Sequence, residues 1–129
     1  MPIGPSQFQV NQAWIVFKLN DEPIVTEADG DFTIIALMDA ASCFLLCSEL
    51  VPLSASGLST LEAKRLLKGG WEHKQAYPQT LMIQADQATD ELVREAERSG
   101  IAVSRVPNKQ LAFFVREARE GFRQHVSRG

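Results

Sequence analysis

The segment FTIIALMDAASCFLLCSELV, residues 32–51, decides the fold class. Its first part, residues 32–38, is apolar at both alternating sets of positions apart from Thr33, a pattern typical of a central strand covered on both faces. The four-residue turn DAAS follows at 39–42, and residues 43–51 predict a second strand. Because so few residues separate the two strands, they must run antiparallel, as a hairpin at the centre of a sheet.

Further strands are predicted on both sides of this hairpin. Residues 13–19 (AWIVFKL) are rich in aromatic and β-branched side chains, and residues 24–26 are a short extended run whose pairing the pattern leaves open. After the hairpin come two more short apolar runs, at 80–84 and 101–106, which alternate with segments whose apolar residues have helical spacing. Helical crossovers of this kind place the strands that they join in parallel.

Helix boundary signals separate the later strands. Ser59 and Glu62 fit a capping box, and Gly69-Gly70 is expected to end that first helix, leaving a loop over 71–78. Asp86 or Thr89 is expected to cap the second helix, which ends at Gly100. The last helix opens at Asn108, and its apolar stripe has the spacing of an amphipathic helix. The stripe consists of Leu111, Phe114, Val115, Ala118 and Phe122.

Together these elements predict one α/β domain over residues 1–129, with a mixed five-stranded sheet. Three antiparallel strands come first, followed by helix, strand, helix, strand and helix. The predicted strands are 13–19, 32–38, 43–51, 80–84 and 101–106. Residues 1–12 are expected to be a loose N-terminal arm, and about 123–129 a frayed C-terminus.

Composition excludes several classes of protein. The chain has 129 residues, 45% of them hydrophobic, and a net charge of −3, which argues against disorder. Its longest apolar stretch, 32–47, is interrupted by Asp39 and is too short for a membrane helix, so we expect a cytoplasmic protein without membrane contact. Residues 1–63 carry one basic and eight acidic side chains, whereas 98–129 carry seven basic and two acidic ones. This asymmetry fits a nucleic-acid surface, or oppositely charged ends that face each other within a chain or across a dimer.

The cysteine and histidine pattern predicts neither a disulfide framework nor a metal centre. Cys43 and Cys47 lie four positions apart on a predicted strand, too far apart to be joined, and are expected to be free thiols of the core in a reducing compartment. His73 and His125 have no partner at ligand spacing. No glycine-rich phosphate loop or nucleophile elbow is present, and no cofactor is expected.

One set of carboxylates could carry metal chemistry. Asp39 ends the second predicted strand, Asp86 follows the fourth, and Glu117 lies on the last helix. Carboxylates that meet at strand ends can hold Mg²⁺, and a pair of such ions supports phosphodiester cleavage. The structural alternative is that Asp39 starts a turn, Asp86 caps a helix and Glu117 pairs with neighbouring arginines.

A second set of candidates is basic. Arg116, Arg119 and Arg123 recur at i, i+3 and i+7 on the last helix, so they share a face that could bind phosphates or a protein partner. The alternative is an ordinary solvated face on which Glu120 pairs with Arg116 and Arg123.

Two segments make the chain resemble integrase and transposase catalytic cores, which have the ribonuclease H-like fold. In those cores the second strand often ends in Asp-x-x-Ser, as residues 39–42 do here. Their fourth strand ends in Asp-Asn-Gly before a helix and a Gly-Ile, and this chain has PQTLMIQAD at 78–86 and then Gly100-Ile101. The likeness covers roughly residues 13–120 and implies the same strand order.

Departures from the family pattern bear on activity. The family's first strand carries Trp-x-x-Asp, whose aspartate is a metal ligand, whereas residues 14–17 read Trp-Ile-Val-Phe. Asp-Asn-Gly is reduced to Asp86-Gln87-Ala88. The resemblance therefore implies a non-catalytic interaction module, as in small bacterial domains built on such folds. The alternatives are a metal-dependent nuclease using the three carboxylates and a nucleic-acid accessory domain using the basic helix.

A homodimer is the expected partner state, because three helices have to cover both faces of a five-stranded sheet. Trp14, Trp71 or the arginine face are the predicted anchors of the interface.

Overall fold

A computed structural model of the chain describes residues 4–20, 24–26, 30–52, 57–84 and 90–128, and the side chains of 24–26 and 122–128 lie outside that description. The described strands are β1 (Ala13–Lys18), β2 (Ile24–Thr26), β3 (Gly30–Asp39), β4 (Leu45–Pro52), β5 (Thr80–Gln84) and β6 (Ala102–Val106). The described helices are α1 (Thr60–Lys74), α2 (Asp90–Arg98) and α3 (Ala112–Arg128), with short 3₁₀ turns at Pro5–Gln7 and Asn108–Leu111.

The sheet has the predicted mixed topology. β3 pairs antiparallel with β1 on one edge and with β4 on the other. β1 pairs parallel with β5, and β5 pairs parallel with β6, to which α2 connects it. The five longer strands therefore lie in the order β4-β3-β1-β5-β6. This arrangement confirms the predicted fold class and the antiparallel β3–β4 hairpin, but the hairpin is not central, because β4 lies at the edge of the sheet.

The short strand β2 accounts for the run at 24–26 that the sequence pattern left open. It pairs antiparallel with the beginning of β3, Ile24 lying opposite Phe32. Phe32 also pairs with Pro52 of β4, so β2 must lie on the other edge of β3, the edge that β1 occupies further along. β1 and β2 thus form one interrupted strand beside β3.

Alternating side chains of the central strands enter two separate cores. In β1, Trp14 and Val16 face α1 and α2, whereas Ile15 and Phe17 face α3. All four are fully buried, as expected for a strand covered on both faces. We call the two cores the α1-side core and the α3-side core. The helices contribute Ala63, Leu66, Leu67, Leu92 and Ala96 to the α1-side core and Phe114, Val115 and Ala118 to the α3-side core.

Helix α1 begins at the predicted capping box but does not end at Gly69-Gly70. Ser59 accepts from the Glu62 amide at 3.1 Å, and Glu62 accepts from the Ser59 amide at 2.9 Å. The helix then continues through both glycines to Lys74 and ends at Gln75, which has φ 56. The prediction that the glycines end the helix is wrong, because they permit close packing on the sheet instead. A Cβ at Gly70 would lie 2.7 Å from Trp14.

The strand predicted from Cys43 begins two residues later, at Leu45. The Asp39 carboxylate accepts from Ser42, and Cys43 has φ 58, a left-handed conformation that interrupts the strand.

The last helix also begins later than predicted, because Asn108 opens a 3₁₀ turn and α3 begins at Ala112. Its apolar stripe is confirmed from Leu111 to Ala118 by burial, and the side chain of Phe122 lies outside the described part of the chain. Among the described helices, none combines the length and apolarity needed to cross a bilayer.

Candidate functional site

Asp39, the first of the candidate carboxylates, is fully buried at the end of β3. Its Oδ1 accepts from the Asn11 amide at 2.7 Å, and its Oδ2 accepts from the Ser42 amide at 3.0 Å and the Ser42 hydroxyl at 2.8 Å. Within the described residues, no cation pairs with it. Buried carboxylates are stable only when such donors satisfy them. Asp39 therefore joins the β3–β4 turn to the segment that precedes β1.

Asn11 extends this hydrogen-bond network to the α1-side core. It has φ 64, and its side-chain oxygen accepts from the indole Nε1 of Trp14 at 2.7 Å. The side-chain nitrogen of Asn11, Nδ2, donates to the Ala76 carbonyl at 3.4 Å. The Trp14 ring is 0% exposed and meets Tyr77 edge-on, with ring centroids 6.3 Å apart. Because it is buried, Trp14 cannot be a surface anchor, and that part of the prediction is wrong.

Glu117 lies on the exposed side of α3. The thiol of Cys43 interacts electrostatically with both Glu117 and Asp39. Burial raises its pKa above the ordinary value, and the carboxylates of Glu117 and Asp39 raise the pKa further. The fold thus brings two of the three candidate carboxylates near one thiol. Asp86 lies outside the described residues.

The exit of β5 lies at the opposite end of the sheet from Asp39. Asp39 pairs with Trp14 at the start of β1, whereas Gln84 at the end of β5 accepts from the Lys18 amide at 2.9 Å. Four residues of strand separate Trp14 from Lys18, about 13 Å at the usual rise. Asp39 is therefore remote from the strand end that precedes Asp86.

Phe17 occupies the position at which the family pattern Trp-x-x-Asp has its acid. Its ring is 0% exposed within the α3-side core. The guanidinium of Arg119 lies immediately beyond it, donating to the carbonyls of Lys18 at 3.0 Å and Leu19 at 3.2 Å. An apolar ring and a cation thus stand at the end of β1. No local sequence signal could have revealed this contact, because Arg119 and Lys18 are 101 positions apart.

The arginines of the basic helix do not act as a single surface. Arg119 is half-buried and bonded to the sheet, whereas Arg116 is exposed. The side chain of Arg123 is outside the described set. Across the described residues, no three His, Cys, Asp or Glu side chains form a group that could hold a metal ion.

A cleft between α1 and β4 was not predicted. Its volume is about 310 Å³, and it is lined by Leu46, Cys47, Gly69, Glu72 and His73. Phe44 lies beside it, with its ring edge-on to His73 at a centroid distance of 5.5 Å. The sequence did contain a signal for this cleft. A glycine pair that does not end a helix marks a place where the helix backbone packs closely on its neighbour.

The Cys47 thiol forms part of this cleft and reports on its electrostatics. It donates to the Leu66 carbonyl at 3.1 Å. Burial raises its pKa to about 11, the carboxylates of Glu49 and, least of all, Glu72 also raise it, and the Gly70 backbone lowers it. Among the described residues that line the cleft, Glu72 is the one carboxylate.

No family model and no curated protein matches the chain. Solved retroviral integrases are similar in structure. The simian T-cell lymphotropic virus intasome has a TM-score of 0.58 at 13% identity, covering 86% of this chain and 37% of that one. The BIV integrase catalytic core domain has a TM-score of 0.51 at 12% identity, covering 85% of this chain and 65% of that one.

The HTLV-2 integrase catalytic core domain, solved with magnesium in a dimeric form, has a TM-score of 0.53 at 11% identity. The match covers 92% of this chain and 86% of that one. The chain spans less than two thirds of the first two structures, and at this identity the likeness extends to the fold alone. The chain therefore has the ribonuclease H-like fold of integrase catalytic cores.

Proposed function

We propose that the chain is a non-catalytic interaction module built on the ribonuclease H-like scaffold. The observation that carries the proposal is the fully buried Phe17 at the position of the family's first-strand acid. Two-metal cleavage needs anionic ligands to hold the cations. Here an apolar ring replaces the anion, and the nearby Arg119 guanidinium, bonded to the end of β1, is a cation where a metal site needs anions.

The other carboxylates support the same proposal. Asp39 uses both oxygens to accept three hydrogen bonds from Asn11 and Ser42, which is a structural role. It also lies at the end of β1 remote from the exit of β5. A nuclease using Asp39, Asp86 and Glu117 would need ligands from both ends of the sheet to meet.

Titration calorimetry with Mg²⁺ and Mn²⁺, together with a plasmid-nicking assay, tests the proposal. We expect calorimetry to detect no binding of either metal at a fixed stoichiometry, and we expect the plasmid to stay intact. Cleavage that requires metal and is abolished by Asp86→Asn would overturn the proposal in favour of the nuclease.

The alternative function is nucleic-acid binding through Arg116, Arg119 and Arg123, and it is disfavoured because Arg119 donates to two backbone carbonyls. Fluorescence anisotropy with labelled duplex and single-stranded DNA at several salt concentrations separates an interaction module from a nucleic-acid accessory domain. Tight binding that weakens steeply with salt would favour the accessory domain.

We also propose that the module self-associates as a homodimer in a reducing compartment such as the cytoplasm. Leu61 is 62% exposed and Trp71 is 38% exposed on the outer side of α1, and exposed aromatic and aliphatic side chains commonly anchor interfaces. Both cysteines are free thiols. Light scattering at micromolar concentration tests the dimer, because a mass near the monomer value of 14.3 kDa would refute it.

A further inference from the structure

The outer edge of β4 presents an unpaired strand. Among the described strands, β4 pairs only with β3, through a register that runs from Pro52 opposite Phe32 to Leu45 opposite Met38. An edge strand leaves a row of backbone N–H and C=O groups free to pair with another chain. Extended peptides bind proteins in this way, and pockets for alternate side chains provide the specificity.

The face of β4 on the α3 side is apolar and exposed. Leu45 and Leu50 lie opposite Met38 and Ile34, which belong to the α3-side core. Yet Leu50 is 57% exposed and Leu45 is 38% exposed, so α3 leaves this edge of the sheet open. An added strand would bury both leucines with apolar side chains of its own.

The other face of β4 carries a carboxylate and adjoins the α1–β4 cleft. Cys47 and Glu49 lie opposite Leu37 and Ile35 of the α1-side core, and the α1–β4 cleft lies beside them. Arg65 forms an ion pair with Glu49. Glu72, at the cleft, makes no ion pair within the described residues, which leaves its charge available to a ligand.

We propose that the edge of β4 and the α1–β4 cleft bind an extended segment of a partner protein in which basic and apolar residues alternate. Leu45 and Leu50 share a face because a bulge opposite Leu37 and Met38 inserts one extra residue into β4. Side chains of an added strand point alternately to the two faces of the sheet, so every second one would contact this face. The residues between them would point to the cleft, where a lysine or arginine meets Glu72. The inference rests on the proposed interaction function and names the partner of one surface.

A second copy of the chain is a poorer occupant of this edge. Antiparallel pairing of β4 with its symmetry mate would place the α1–β4 clefts, and with them Glu72 of both copies, on the same face of a joined sheet. The two like charges would repel each other. The partner of this edge is therefore a basic peptide segment, and self-association uses another surface.

Binding of an eight-residue fluorescent peptide, with valine and arginine alternating, tests the proposal by anisotropy at about 0.15 M salt, where long-range attraction is screened. A peptide with glutamate in place of arginine is the control ligand. We expect only the arginine peptide to bind, and its addition to slow amide exchange in 45–52. Glu72→Arg should weaken binding about tenfold, because it replaces an attractive charge by one that repels the arginine peptide.

Glu97→Arg is the matched control, since Glu97 is an exposed glutamate on α2 and should leave affinity within about twofold. Leu50→Asp should also weaken binding, because it removes the apolar contact on the other face. Equal effects of Glu72→Arg and Glu97→Arg, or the lack of any peptide binding, would overturn the inference. If the dimer persists in light scattering while no peptide binds, the peptide site fails and the interaction function stands. Metal-dependent nicking would instead refute the proposed function.

Discussion

Gly70 of α1 lies directly against the indole ring of Trp14 in β1. A Cβ at Gly70 would be 2.7 Å from two ring atoms of Trp14 and 2.8 Å from Leu37. Both neighbours are fully buried, so neither can move without disturbing the core. The glycine therefore sets how closely the helix approaches the sheet.

Gly70→Ala should consequently destabilise the protein. Alanine favours a helix by about 1 kcal/mol, but overpacking at this contact should outweigh that gain and leave a net loss of about 1–2 kcal/mol in unfolding free energy. Urea unfolding measures the change. Gly121→Ala in α3 is the control, because a Cβ there meets nothing within 4 Å and should be neutral or stabilising. A stabilising Gly70→Ala would contradict the packing described.

Asp39→Ala should cost about 2–3 kcal/mol of unfolding free energy, because it removes the shared acceptor of three partly buried hydrogen bonds from Asn11 and Ser42. Ser42→Ala removes only the hydroxyl donor and should cost about 1 kcal/mol. Chemical denaturation of both variants checks the order. If Asp39→Ala unfolds like the wild type, the carboxylate has no structural role.

Arg119→Ala should destabilise the fold by about 1–3 kcal/mol, because the carbonyls of Lys18 and Leu19 lose their donor. Arg116→Ala, at an exposed position on the same helix, should change stability by no more than about 0.5 kcal/mol. Thermal melting of the two variants compares them. Similar small effects would mean that Arg119 belongs to the solvent-facing side of α3.

The Cys47 thiol should react slowly with a disulfide reagent at pH 8, because burial raises its pKa to about 11 and little thiolate is present. Its ordinary value is 9.0, so above that pH the unfolded chain loses this proton before the folded chain does. Stability from this group is therefore complete below pH 9 and declines as the pH rises toward 11. Unfolding of wild type and Cys47→Ser at increasing pH tests this, and the variant should show the smaller decline.

Sequence periodicity predicted the sheet because burial on both faces leaves a direct trace in β3, whose apolar residues occupy successive positions. The end of α1 could not be predicted in the same way. Gly69-Gly70 is the usual sign of a helix C-terminus, and only contact with Cys47 and Trp14 from distant strands shows that the pair lies inside the helix.

The local contacts of the candidate site could be predicted from the sequence, whereas its long-range contacts could not. Asp39 and Ser42 lie three positions apart, and their turn follows from local sequence. The contact of Gln84 with Lys18 spans 66 positions and depends on the parallel pairing of β5 with β1, which sets the relative height of the two residues. The α1–β4 cleft depends in turn on the helical glycines, so the mistaken helix end concealed it.

The position of α3 in the chain constrains the order of folding during synthesis. Of the described helices, α3 alone supplies side chains to the core that contains Ile15 and Phe17. A nascent chain that has emerged only as far as Val106 holds every described strand, yet one side of its sheet still faces water. Ribosomes add about 5–20 residues per second, so this half-covered state should last on the order of a second before Phe114 and Ala118 emerge. A chaperone that shields apolar surfaces would find its binding site there, in a species that disappears once α3 has emerged from the ribosome.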